Sequence, residues 1–195
     1  MVRSARMGSS ADNGRPGLRG LIATAARLLA AAAALSGASA ALILTGHRLW
    51  AGVAATASAA ALIAGTVRAR ASRDRPLRFA ELVTDRLFDA AILAPLAWVW
   101  RSRSIAISVL ALVGLAASYI ASYERARGRS LGYRGGEGVG YRTARAAILA
   151  LGLLTGWLLA ALWAFAAITV AAASIRAWNV VRQERRSPRT SGVPL

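Results

Sequence analysis

Four long stretches of this chain contain no charged residue, and they limit what the chain can fold into. They cover residues 28–46, 49–67, 104–123 and 146–175. A helix rises 1.5 Å per residue, so about 20 residues cross the ~30 Å hydrocarbon core of a bilayer. A helix also satisfies its backbone hydrogen bonds internally, as that core requires. The pattern therefore predicts an all-α, polytopic membrane protein.

The composition supports this interpretation and excludes several kinds of site. The 195 residues are 56% hydrophobic, with no cysteine and one histidine, His47. Disulfides, thiolate metal sites and multi-histidine metal sites are therefore excluded. The net charge is +17, and all 25 basic residues are arginine. Because the arginines cluster at the ends of apolar runs, we expect membrane lipids or phosphorylated substrates as partners and no nucleic acid.

The distribution of arginines predicts the topology. The run at 146–175 would measure about 45 Å as one helix, so we divide it into two spans near Gly156. A further apolar segment covers residues 79–100, which makes six transmembrane helices. In that arrangement 22 of the 25 arginines lie on one side, and the other side has Arg48, Arg101 and Arg103. The positive-inside rule then places both termini in the cytoplasm, and the alanine-rich, lysine-free composition suggests a bacterial inner (plasma) membrane.

The same patterns divide the chain into regions. We predict a disordered basic tail at residues 1–17, a six-helix membrane domain at 18–185 and a second disordered tail at 186–195. Within the domain, residues 124–145 are predicted to form a polar loop with a glycine-rich centre.

Three acids interrupt the apolar segment at 79–100. Glu81, Asp85 and Asp89 follow one another at four-residue intervals, so they line one stripe of a helix. A carboxylate at membrane depth loses its hydration and needs a partner. Grouped carboxylates suit a hard divalent cation, and one of them could act as a general base. The alternative is pairing with arginines, such as Arg86 or those at neighbouring helix ends.

Several segments resemble the CDP-alcohol phosphatidyltransferase family. The sequence T-D-R-L-F-D-A-A at residues 84–91 is similar to the third membrane helix of that family, closest to actinobacterial phosphatidylinositol-phosphate-synthase-like members. The similarity continues in S-Y-E-R-A-R at 122–127 and in G-V-G-Y-R-T-A-R at 138–145. It covers about residues 26–185 and agrees with six spans.

The resemblance implies a reaction in phospholipid biosynthesis. A phosphatidyl group passes from a CDP-linked lipid to an alcohol and CMP leaves, with four aspartates holding two divalent metals. By resemblance, Asp85 is the candidate base, and Glu81 and Asp85 are candidate ligands for Mg²⁺ or Mn²⁺. Three arginines match positions that bind the phosphate of an acceptor: Arg125, Arg142 and Arg145. Other motif positions are occupied by Arg68, Arg86, Asp89 and Ser122.

The chain departs from the family signature on the preceding helix. Ala60 and Ile63 stand where the first two aspartates belong, and no acid occurs between residues 13 and 73. Two functions stay open. One is a divergent transferase with a reduced metal site. The other is a non-catalytic homologue that acts as a membrane scaffold or regulatory partner, in a homodimer or beside a catalytic protein.

Overall fold

The computed structural model describes residues 15–133 and 139–186, and these residues form helices only. The elements are α1 (Arg15–Leu44), α2 (Arg48–Ser72), α3 (Arg75–Trp100), α4 (Ile105–Ser130), α5 (Val139–Thr155) and α6 (Leu158–Arg186). This confirms the all-α prediction for the described residues. By length and composition, α1, α2, α4 and α6 can each cross a membrane. Helix α3 carries the acids, and α5 has 17 residues.

The division of the long apolar run is confirmed. Helix α5 ends at Thr155 and α6 begins at Leu158, with Gly156 between them at a φ of 86°. Glycine adopts this left-handed conformation without the steric cost that a Cβ brings. The 30-residue run thus forms two helices that pack on each other, with the break at Gly156.

The predicted polar loop at 124–145 is largely wrong in the described part. Helix α4 continues to Ser130 and α5 begins at Val139, so the arginines at 142 and 145 are helical and buried. Their burial is possible because they meet carboxylates of α3. The predicted glycine-rich centre at 135–138 lies outside the described residues, as does most of both predicted tails. Helix α1 already begins at Arg15, inside the predicted 1–17 tail.

The basic stretch after the second apolar run is also mostly helical. Helix α2 reaches Ser72, and α3 begins two residues after Arg73. Arg73 ends α2 in a left-handed conformation, with a φ of 56°. Asp74 caps α3, because its carboxylate accepts a hydrogen bond of 2.9 Å from the backbone N–H of Leu77. Pro76 lies in the first turn of α3, where its missing N–H costs no helical hydrogen bond.

Five helices form a ring, and the sixth lies outside it. Around the ring, α3 packs on α2, α2 on α5, α5 on α6, α6 on α4, and α4 on α3, while α1 packs against α2 and α3. Large side chains fill the interior, among them Phe88, Ile92, Leu153 and Phe165. Helices α3 and α5 therefore face each other across the ring without packing closely. Contact between them depends on long side chains.

Candidate functional site

The three acids of α3 form a buried ladder on one face of the helix. The exposed fractions of Glu81, Asp85 and Asp89 are 3%, 6% and 3%. This confirms the prediction from their four-residue spacing that the acids share one face. The face points into the helix bundle, so each carboxylate requires a partner supplied by the protein.

Glu81 joins α3 to two other helices. Its carboxylate forms an ion pair and hydrogen bond with the guanidinium of Arg142 from α5. A second guanidinium, that of Arg70 from α2, lies 3.5 Å from the same oxygen. Arg142 is buried, whereas Arg70 is about one-third exposed. Glu81 thus connects the three helices at the end of the ladder nearest the start of α3.

Asp85 pairs with the residue that follows it. The Nη2 atom of Arg86 donates to its carboxylate. The other terminal nitrogen of Arg86 lies 3.2 Å from the carboxylate of Asp89. It also donates a hydrogen bond of 2.8 Å to the backbone carbonyl of Ser118 on α4. One guanidinium therefore serves two rungs of the ladder and reaches the neighbouring helix. Its planar fork of donors makes this multiple contact possible.

Asp89 lies at the most highly connected point of the site. It pairs with Arg145 of α5, and it accepts a hydrogen bond from the hydroxyl of Ser118. The same hydroxyl oxygen accepts from Arg86 and, at 2.9 Å, from Arg145. A serine hydroxyl has one donor and two acceptor positions, so these contacts use all three. Ser118 is completely buried.

Sequence reasoning missed Ser118 and named Ser122 instead. Ser122 is only half-buried on the next turn of α4. The signal was present in the pattern of the helix, because its buried residues recur at intervals of three and four: Ala111, Gly114, Ser118, Ala121 and Arg125. This stripe defines the inner face of α4, and Ser118 is the polar residue at its middle.

The three arginines assigned to phosphate binding are all buried. The exposed fractions of Arg125, Arg142 and Arg145 are 8%, 9% and 2%. Arg142 and Arg145 lie in the carboxylate ladder, and Arg125 lies on the inner face of α4, about two turns beyond Ser118. All three arginines are therefore inside the bundle, and two of them, Arg142 and Arg145, form ion pairs with acids of α3.

Aromatic rings support the arginine at the deep end of the site. The guanidinium carbon of Arg145 is 4.8 Å from the ring centroid of Phe165 and 5.5 Å from that of Tyr141. The guanidinium carbon of Arg176 on α6 lies 5.7 Å from the centroid of the Tyr141 ring. The same side chain donates a hydrogen bond of 2.9 Å to the carbonyl of Ala121. Cation–π contacts of this kind stabilise a desolvated guanidinium. They extend the site from α5 to α6.

Helix α2 contributes an apolar surface opposite Arg142. A small cleft between α2 and α5 is lined by Ala59, Leu62, Ile63, Thr66, Arg142, Thr143 and Ala146. Ile63 is one of the two positions where the resemblance would place an aspartate. Arg68, another motif position, donates to the carbonyl of Ala64 in its own helix, at 3.2 Å. The described part of α2 therefore brings no carboxylate to the ladder.

The residues present do not fit a divalent cation. Within the described residues, no group of three or more acidic, histidine or cysteine side chains is placed to hold a metal. Both predicted ligands, Glu81 and Asp85, already pair with guanidinium groups. A Mg²⁺ or Mn²⁺ ion there would face repulsion from these arginines and would lack most of the six oxygen ligands it prefers.

The chain was compared with known proteins as well. No family model and no curated protein matches it.

Proposed function

We propose that the chain is a six-span protein of the bacterial plasma membrane with both termini in the cytoplasm. Four helices have the length and composition for crossing. The three carboxylates of α3 point into the bundle and are paired there with arginines, which lowers the free-energy cost of placing α3 at membrane depth. Helix α5 has 17 residues and measures about 26 Å, close to the thickness of the hydrocarbon core. The arginine distribution supports the orientation.

For its activity, we propose a protein that resembles CDP-alcohol phosphatidyltransferases in architecture but does not transfer a phosphatidyl group. It acts as a scaffold or regulatory partner that binds a phosphate-bearing headgroup. One observation carries this proposal: all three carboxylates of the ladder are in ion pairs with arginines. Such carboxylates are poor metal ligands, and a paired Asp85 is a weak base.

The arginines of the site suit a phosphate. Guanidinium groups bind phosphate oxygens through two parallel hydrogen bonds. The Nε atom of Arg145 is buried and makes no hydrogen bond within the described residues. Its N–H is therefore a donor that a phosphate oxygen could use. Arg125 adds a further buried guanidinium on α4. The ligand expected from this chemistry is the headgroup of a CDP-linked or other phosphorylated lipid at the cytoplasmic side.

A divergent transferase is the second candidate, and the partner of Asp85 favours it. Asp85 pairs with Arg86, which belongs to the same helix. Rotation of that one side chain would release the carboxylate, and it would also break the contacts of Arg86 with Asp89 and Ser118. Asp85 would then take the proton from an attacking alcohol as a general base.

One assay separates the two functions. The protein, purified in detergent with Mg²⁺ or Mn²⁺, is given CDP-diacylglycerol and a panel of alcohols, and CMP release is measured. We expect wild-type CMP release to be no faster than that of the Asp85→Asn variant, because the wild-type carboxylate is held in an ion pair with Arg86. Native mass spectrometry of the same samples should show phospholipid retained by the wild type and reduced in Arg125→Gln. CMP release that Asp85→Asn abolishes would establish the transferase instead.

A further inference from the structure

The charged site joins two helices that do not pack closely on each other. Arg142 and Arg145 extend from α5 across the interior of the ring and meet Glu81 and Asp89 of α3. Ile63 of α2, where the resemblance predicts an acid, is apolar. The carboxylates of the ladder therefore face guanidinium groups and no further acid from α2.

Arginine differs from a metal ion in ways that matter at this place. Its guanidinium keeps its charge at every accessible pH and matches a carboxylate with a planar fork of donors. It is also covalently attached, so neither dilution nor a chelator removes it. Three rungs of carboxylate are balanced by side chains from three helices: Arg70, Arg86, Arg142 and Arg145.

We propose that these arginines are built-in replacements for a divalent cation. They form a clamp that holds α3 against α2, α4 and α5, and the folded protein requires no metal. This inference rests on the proposed function in one respect, the comparison of the ladder with a metal site. The ion pairs themselves support the clamp independently. The clamp gives the acids of α3 a structural role that requires no acid from α2.

The first test requires no variant. Mn²⁺ binding to the detergent-purified wild type is followed by electron paramagnetic resonance, and thermal unfolding is recorded by tryptophan fluorescence in EDTA and in 10 mM Mg²⁺. We expect no stoichiometric Mn²⁺ site at submillimolar concentration and a midpoint that differs by less than about 1 °C between the two buffers. A stoichiometric site, or a midpoint raised several degrees by Mg²⁺, overturns the proposal.

The second test removes the clamp. Arg142→Gln leaves Glu81 buried without its main partner, and we expect the unfolding midpoint to fall by roughly 6–20 °C. Glu81→Gln combined with Arg142→Gln should recover a large part of that loss, because neither charge is then left alone. Arg127→Gln, at an exposed position of α4, is the matched control and should shift the midpoint by less than about 2 °C. Strictly additive losses in the double variant overturn the proposal.

The outcomes also separate this inference from the proposed function. CMP release by a protein that binds no Mn²⁺ contradicts the non-catalytic function and leaves the clamp standing. A Mn²⁺ site in a protein that releases no CMP contradicts the clamp alone.

Discussion

Ser118 of α4 donates its hydroxyl hydrogen to the carboxylate of Asp89 on α3. The same oxygen accepts hydrogen bonds from Arg86 of α3 and Arg145 of α5. A small side chain at the centre of an apolar helix thus organises the contact between three helices. Its position explains how two arginines and one carboxylate share a confined space: the hydroxyl orients each of them.

We expect Ser118→Ala to destabilise the protein by about 1–2 kcal/mol. The variant removes one donated and two accepted hydrogen bonds, and two of the three partners, Asp89 and Arg145, are buried. Thermal unfolding in detergent measures the effect as a shift of about 2–8 °C. Ser130→Ala is the matched control, because Ser130 is exposed at the end of the same helix and bonds a carbonyl of its own turn. Equal shifts in the two variants would contradict the organising role.

Asp89→Asn should be more damaging, costing about 3–5 kcal/mol. It leaves Arg145, which is only 2% exposed, without its charged partner inside the bundle. The double variant Asp89→Asn with Arg145→Gln should be more stable than the sum of the single losses predicts. Double-mutant-cycle analysis of unfolding midpoints measures this coupling. A coupling energy below about 0.5 kcal/mol would show that the pair is not energetically linked.

The acid ladder is the part of the site that sequence reasoning predicts well. Spacing of four residues places Glu81, Asp85 and Asp89 on one helical face whatever surrounds the helix. The partners of these acids are a different matter. Glu81 meets Arg142, 61 residues away in the chain, and this contact depends on how α3 and α5 face each other across the ring. Nothing in the local pattern determines that geometry.

The loop prediction at 124–145 failed for a related reason. An arginine beside an apolar run has the same sequence signature whether it meets a lipid headgroup or a buried carboxylate. Arg142 and Arg145 meet buried carboxylates, and both lie within helix α5. The break at Gly156 was predictable, because a 30-residue apolar run exceeds the thickness of one membrane.

Gly156→Ala should destabilise the turn between α5 and α6 by at least about 1–2 kcal/mol. Its φ of 86° disfavours a residue with a Cβ. An added Cβ would also lie 2.3 Å from a guanidinium nitrogen of Arg48, which donates to the carbonyl of Leu153. Gly37→Ala is the control, since Gly37 lies in α1 with open space around it. That variant should be stabilising by about 0.5–1 kcal/mol, and unfolding midpoints that shift in the same direction for both would contradict the argument.

Labelling of single cysteines should show that α3 crosses the membrane, as the six-span arrangement requires. The chain contains no cysteine, so Ser102→Cys, in the exposed turn after α3, and Ser130→Cys, at the exposed end of α4, can each be introduced alone. In bacterial spheroplasts, a membrane-impermeant maleimide should label position 102 directly and position 130 only after permeabilisation. If α3 did not cross, α4 would run outward from the cytoplasm and the two results would be exchanged. The charged ladder of α3 makes this the informative comparison, because we propose that pairing with arginines permits that helix to cross.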